Sequence, residues 1–348
     1  MFRRSNRRRG YFVLALEALE DRALPSGGIT EYLIPTGWSA PSGITAGPDG
    51  AVWFTESTSN KIGRITTAGV FSEYTIPTAN TGPNGITSGS DGALWFVEAA
   101  TNQIGRVTTS GVFSEYTIPT AGSGAEGITS GPDGALWFTE DRNKIGRITT
   151  AGVFSEYTIP TANSNPERIT SGPDGALWFT EENTNKIGRI TTAGGFSEYT
   201  IPTANSGPAG ITTGSDGALW FVEGNKNKVG RVTTAGVFSE YTIPTAGSTP
   251  EGITAGLDGA LWFTEDANKI GRITTTGVFT EFAIPTAGSI PEDIAAGPDG
   301  AIWFPEQGTN KIGQMVFDLP LSATGKTISP TEGSAFTGAV ASFTDLDR

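Results

Sequence analysis

The sequence predicts an all-β chain: a seven-bladed β-propeller whose last blade is closed by a strand from the N-terminal side. Three observations carry this. The motif DGAxWFxE occurs seven times, with its Asp at 49, 91, 133, 174, 216, 258 and 299, so the period is 41 or 42 residues throughout. That is the period of a four-stranded propeller blade, and the 48 Gly and 21 Pro exclude stacked helices of similar period. The seventh repeat also lacks a fourth strand, and a segment before the first repeat supplies a match.

One repeat parses in order. GITAG at 43–47 is a short, small-residue strand suited to a crowded centre. Pro48-Asp49-Gly50 is a tight turn, with Pro fixing φ and Gly free to take positive φ. AVWFTE at 51–56 and KIGRITT at 61–67 are the second and third strands, and FSEYTIP at 71–77 alternates as an outer fourth strand. The last repeat offers DIAAG, AIWFPE and KIGQMVF and then stops, while ITEYLIP at 29–35 matches the missing strand. The ring is therefore expected to close without a free sheet edge at the seam.

Residues 27–317 form the propeller by this reading, flanked by 1–26 and 318–348. The N-terminal piece places RRSNRRR before a short apolar stretch, the order of an export signal, and it is too short to span a membrane. LEALEDRALPSG at 16–27 resembles the N-terminal motif of many planctomycete exported proteins, so an exported or cell-surface location is expected. The C-terminal tail resembles the opening strands of a bacterial Ig-like repeat. About 30 residues cannot bury a core of their own, so a loosely ordered, incomplete domain is expected there.

Composition narrows the function classes. The net charge is −13, which disfavours nucleic acid and favours cations or a cationic ligand. There is no Cys, which removes disulfides, thiolate catalysis and Cys zinc sites. There is no His either, so imidazole metal ligands and the most common general base are absent. A monomer with no membrane span is expected.

Variation among the seven copies is confined to two loops. One joins each fourth strand to the next first strand, the other joins strands two and three. Both emerge on one face in an up-and-down blade, so that face is expected to bind a small molecule, peptide or cation, with drift in solvent-exposed loops as the alternative. Each second strand ends in Glu: 56, 98, 140, 181, 223, 265 and 306. The residue before each first strand varies: Ser42, Asn84, Glu126, Glu167, Ala209, Glu251 and Glu292. A regular hairpin would set these positions opposite each other. It would pair Glu126 with Glu140, Glu167 with Glu181, Glu251 with Glu265, and Glu292 with Glu306. Such pairs need a proton, a cation or a basic neighbour such as Arg168. Oxygen donors of this kind select Mg²⁺ or Ca²⁺, with Glu251, Glu265, Glu292 and Glu306 the candidate ligands. The alternative for the repeated Glu is structural, capping backbone N–H groups of the next blade. The Trp of each motif reads as inter-blade packing, whereas Trp38, alone in a variable loop, is a candidate ligand contact.

PxGIT, GPDGALWFTE, NKIGRITT and SEYTIP together resemble the streptogramin B lyase (virginiamycin B lyase) family over residues 29–317. The resemblance implies a seven-bladed propeller that linearises a cyclic depsipeptide by Mg²⁺-assisted elimination. It places the family's catalytic histidines at the x of PxGI in the last two blades, where this chain has Glu251 and Glu292, and retains Glu306. The expected function is an exported cation- or ligand-binding scaffold with an acidic loop face. The alternative is a Mg²⁺-dependent lyase, or a related propeller hydrolase, with Glu251 and Glu292 as the catalytic residues in place of His.

Overall fold

The computed structural model describes residues 28–317, with 322–324 and 342–344 beyond them. The export-like segment and nearly all of the Ig-like tail lie outside the described residues, except that Ser322–Thr324 pairs antiparallel with Ser342–Thr344. Residues 28–317 form seven four-stranded antiparallel sheets, six of them built from four consecutive strands in sequence order. Blade 1 comprises Pro41–Ala46, Ala51–Glu56, Lys61–Thr66 and Phe71–Thr75. Blade 7 comprises Ala295–Ala296, Ile302–Glu306 and Lys311–Val316, and its outer strand is Gly28–Leu33. Leu33 pairs with Lys311 and Gly28 with Val316, so the expected closure is present.

One polar cluster per blade fixes the turn and the tryptophan together. Asp49 Oδ1 accepts the Trp53 indole N–H at 3.0 Å, and Asp49 Oδ2 accepts from Arg64 Nε at 2.7 Å. Burial pushes the Asp49 carboxyl up, but these hydrogen bonds and the Arg64 charge outweigh it and hold it below its usual range. Trp53 stacks on Tyr74 of the outer strand at 5.5 Å and packs with Ile86, Leu94 and Phe96 of blade 2. The motif tryptophans are therefore inter-blade packing, as their repetition predicts. Phe54 faces Gly63 of the third strand, and a Cβ on that glycine would collide with the ring.

Neighbouring blades are also tied through their loops. Asn60 Oδ1 accepts from the Thr81 N–H and hydroxyl, both at 2.8 Å, while its amide donates to the carbonyls of Ile76 and Thr78. At the seam Asn310 repeats this with Ser39, Ile34 and Thr36. Glu31 of the closing strand accepts from the Thr286 N–H and hydroxyl of blade 6, as Glu73 does from Thr36. The seam thus carries the bonds found at the other junctions.

Deleting residues 1–36 removes the closing strand, exposes the free edge of Lys311–Val316 and strips Tyr32 from its stack on Trp303. A clearly lower melting temperature and self-association on gel filtration are expected, with a chain starting at residue 28 as the control that melts like the full protein. Equal melting of both chains would show that the closing strand does not hold the ring.

Candidate functional site

The hairpin between strands one and two is not regular, and this sorts the glutamates into two groups. In blade 1, Pro41 pairs with Glu56 but the next pair is Ile44 with Phe54, so the first strand carries one extra residue. This is a β-bulge, anchored where Thr55 Oγ1 accepts the Gly43 N–H at 2.9 Å. The same shift recurs, with Ala125 opposite Glu140, Pro166 opposite Glu181, Pro250 opposite Glu265 and Pro291 opposite Glu306. The Glu–Glu pairs expected from a regular hairpin are therefore not formed. The extra residue turns the variable position toward the channel mouth and leaves the second-strand Glu facing outward along the blade.

That outward Glu is fully buried in all seven blades. In blades 4 and 6 its Oε1 lies against the third-strand glycine, Gly188 and Gly271, which sits opposite the outer-strand Glu198 and Glu281. Where the following loop offers a hydroxyl, the other oxygen accepts it, as Glu56 Oε2 does from Ser59 at 2.9 Å. Where the loop has none, at Glu140, Glu223 and Glu265, neither oxygen has a protein partner. Burial, then the charge of the outer-strand Glu156, pushes the Glu140 carboxyl up to about 8. Burial and Glu240 push Glu223 to about 7. Burial thus favours the protonated form of these groups, and the expected capping of a backbone N–H of the next blade is not formed at either.

A carboxyl raised in the folded state contributes stability that is complete below its unfolded pKa and is lost as pH rises through the folded value. The turn aspartates, such as Asp49, are lowered and act in the opposite sense, losing their contribution only in acid. The melting temperature should therefore peak in mild acid, about pH 5, and decline toward about pH 9. Replacing both Glu140 and Glu223 by Gln should flatten the alkaline limb. An alkaline limb unchanged in that variant would show that these carboxyls do not carry it.

The variable positions ring the channel mouth. Ser42 Oγ bonds Asn84 Oδ1 at 3.1 Å, and Glu292 accepts from the Gln307 side-chain amide. Burial raises Glu292, with Ser42, Arg168 and Gln307 opposing it. Burial, then Asp266, raises Glu251 to about 7, and Glu292 adds to the effect. So Glu251 and Glu292 lie near each other at the mouth, while Glu265 and Glu306 are turned toward the outer strands. Glu306 is raised to about 7 by burial and by Glu31 of the closing strand. Trp38 sits on the loop face, 89% exposed, in the left-handed conformation at φ 58°, where the other six copies have Asn or Gly.

A cavity of about 280 Å³ opens on this face over blades 3 to 6, lined by Glu126, Glu167, Glu182, Glu251, Asn165 and Asn225 among others. Burial is the largest influence on Glu167 and lifts it to about 8 against the pull of Arg168. A second cavity of about 100 Å³ lies one residue further along the same strands, walled by Gly85, Gly127, Gly210 and Gly252, with Arg168 and Asp293. Those two residues stand where the other five first strands have Gly. Asp293 accepts the N–H groups of Ile44 and Ile294, which ends the ladder early and leaves blade 7 a two-residue first strand. Neither Asp293 nor the central position of Arg168 follows from counting loops. The signal was the loss of Gly from PxGI in PERIT and PEDIA.

Among the described residues no three acidic side chains gather closely enough to hold one ion. Glu306 and Glu265 are sealed in the blades, apart from Glu292 and Glu251 at the mouth. The residues present do not fit a Mg²⁺ centre made from these four.

Geometry and site together define a seven-bladed propeller with a charged channel mouth and a lyase-type motif set. The profile of the virginiamycin B lyase family matches residues 20–125 and 116–322, and the chain belongs to that family. It is 43% identical to a streptogramin B lyase structure, with a TM-score of 0.81, covering 84% of this chain and 98% of that one. It is 45% identical to virginiamycin B lyase from Staphylococcus aureus, TM-score 0.80, covering 83% and 99%. A catalytically inactive histidine-to-alanine variant of that enzyme, determined with quinupristin, matches with the same score and identity. Kuenenia stuttgartiensis hydrazine synthase, at 14% identity, a TM-score of 0.67 and coverage of 82% and 98%, shares the fold alone.

Proposed function

We propose that this chain is a member of the lyase family that binds an organic cation on its acidic loop face and does not open streptogramin rings. The carboxylate-lined cavity over blades 3 to 6 carries the reading. Its acidic groups are spread along the wall with no three together, which suits an extended ammonium compound better than a single metal ion. Two rim cations, Arg142 and Lys226, are exposed in the loops outside the lining. The total absence of His supports loss of the family's chemistry, since a histidine-to-alanine change makes the Staphylococcus aureus enzyme catalytically inactive. An exported location fits the basic-then-apolar order of the N-terminal residues.

The alternative is elimination with Glu292 as base. Its raised carboxyl is suited to taking a proton, but it is tied to Gln307 and lacks an adjacent metal set. Two assays separate the readings. A streptogramin B antibiotic incubated with the protein and Mg²⁺ should keep its chromatographic retention. Cadaverine should raise the melting temperature, because a ligand at a hundredfold excess over its dissociation constant adds about 2.7 kcal/mol. The shift should shrink with added salt and vanish in Glu126→Gln/Glu251→Gln. Ring opening abolished by Glu292→Gln would overturn the binding-only reading.

A further inference from the structure

The channel floor of the acidic face adds a requirement that a simple cation trap would not have. Arg168 is the single basic residue lining either cavity. It is half-buried, with part of its side chain open to the channel. Burial opposes its charge, but Asp293, Glu167, Glu126 and Glu292 outweigh this and keep it protonated. Its backbone N–H is spent on Thr180 Oγ1 at 3.1 Å, while its guanidinium forms no hydrogen bond or ion pair among the described residues. Asp293 exerts the strongest attraction on it but forms no ion pair with it among the described residues; the two Asp293 oxygens accept the backbone N–H groups of Ile44 and Ile294.

A guanidinium offers five donors in a flat fork that matches a carboxylate, and leaving it without a partner in a confined channel is costly. The position is also expensive to build. Elsewhere in the ring a Cβ there would approach the next blade's backbone closely, 2.6 Å from the Asn84 carbonyl oxygen at Gly43 and 2.7 Å from that of Glu167 at Gly127. An arginine has been accommodated in one blade of seven, facing the cavity. Consecutive residues line the two cavities: Glu126 and Gly127, Glu167 and Arg168, Glu251 and Gly252. The carboxylates therefore form one layer and the guanidinium the next layer down.

We infer that the site takes a basic zwitterion, a free diamino acid of the lysine type, with its carboxylate seated on Arg168 and its ammonium groups among Glu126, Glu167 and Glu251. This rests on the acidic-face reading and narrows its ligand. A compound with only positive charge meets Arg168 as a repulsive neighbour. One with a carboxylate at its inner end satisfies both layers. The upper cavity, about 280 Å³, is at the small end for ligand sites and fits a single amino acid rather than a folded chain.

Calorimetric titration of the full chain with L-lysine, L-lysinamide and cadaverine tests this. L-lysine should bind about tenfold tighter than lysinamide, which differs by the lost carboxylate. In Arg168→Gln, lysine should fall to the level of lysinamide, and lysinamide should bind as well as before or better because a repulsive charge is gone. Lysinamide and cadaverine binding the parent as tightly as lysine would overturn the zwitterion and leave cation binding standing. No binding of any of the three would overturn both. The lysine-to-lysinamide ratio in the parent decides the matter even if Arg168→Gln fails to fold.

Discussion

The close approach of the seven first strands around the axis is the constraint on which the rest depends. At five blades the channel-facing position is Gly because a side chain there would press on the neighbouring blade's backbone, 2.5 Å from the Glu126 carbonyl oxygen at Gly85 and 2.8 Å from that of Glu292 at Gly252. Blades that meet this tightly can pack their tryptophans across each junction and repeat the Asn and Glu ties between loops. The bulge lies in the same crowded strand. It lets the first strand pass the axis with an extra residue and swings the residue after Pro to the mouth. Every variable carboxylate on that face owes its place to this turn.

The two groups of glutamates answer different needs. The second-strand set is fully buried and repeated in all seven blades, with loop hydroxyls as partners in four of them and none in the other three, so it reads as part of the architecture. The mouth set varies between Ser, Asn, Ala and Glu, and it is on this set that the proposed recognition rests. Burial makes both sets resist ionisation, and only the mouth set borders a cavity, where the proposed ligand would relieve its charge. Arg168 sharpens the contrast, since it supplies one fixed positive charge beneath a layer of acids. The family's scaffold is here furnished with an acidic mouth, one arginine beneath it and no imidazole.

The fold was legible because period, strand composition and the missing fourth strand all pointed one way. The strand limits differ by only one or two residues, as with Gly28–Leu33 against the expected 29–35. The channel mouth was half legible. Loop variation pointed to the face on which the acidic cavity opens, and Glu251 and Glu292 stand close enough there to feel each other's charge. The register was not legible, because a bulge leaves no mark beyond a Pro and a Gly whose roles are also those of an ordinary strand end. That single extra residue moved Glu265 and Glu306 out of the site and dissolved the expected metal set. Arg168 was seen as a neutralising neighbour of Glu167, but its place at the axis depended on knowing which residues the bulge turns inward. Trp38 is exposed on the predicted face, and nothing in its surroundings ties it to the cavity.

The most direct measurement of the central claim is a crystal structure of the protein soaked in L-lysine. The account predicts one molecule in the channel of blades 3 to 6, its carboxylate bridging to the Arg168 guanidinium and its amines among Glu126, Glu167 and Glu251. A channel without lysine in which Arg168 pairs directly with Asp293, or lysine seated instead beside Glu292 and Gln307, would contradict it.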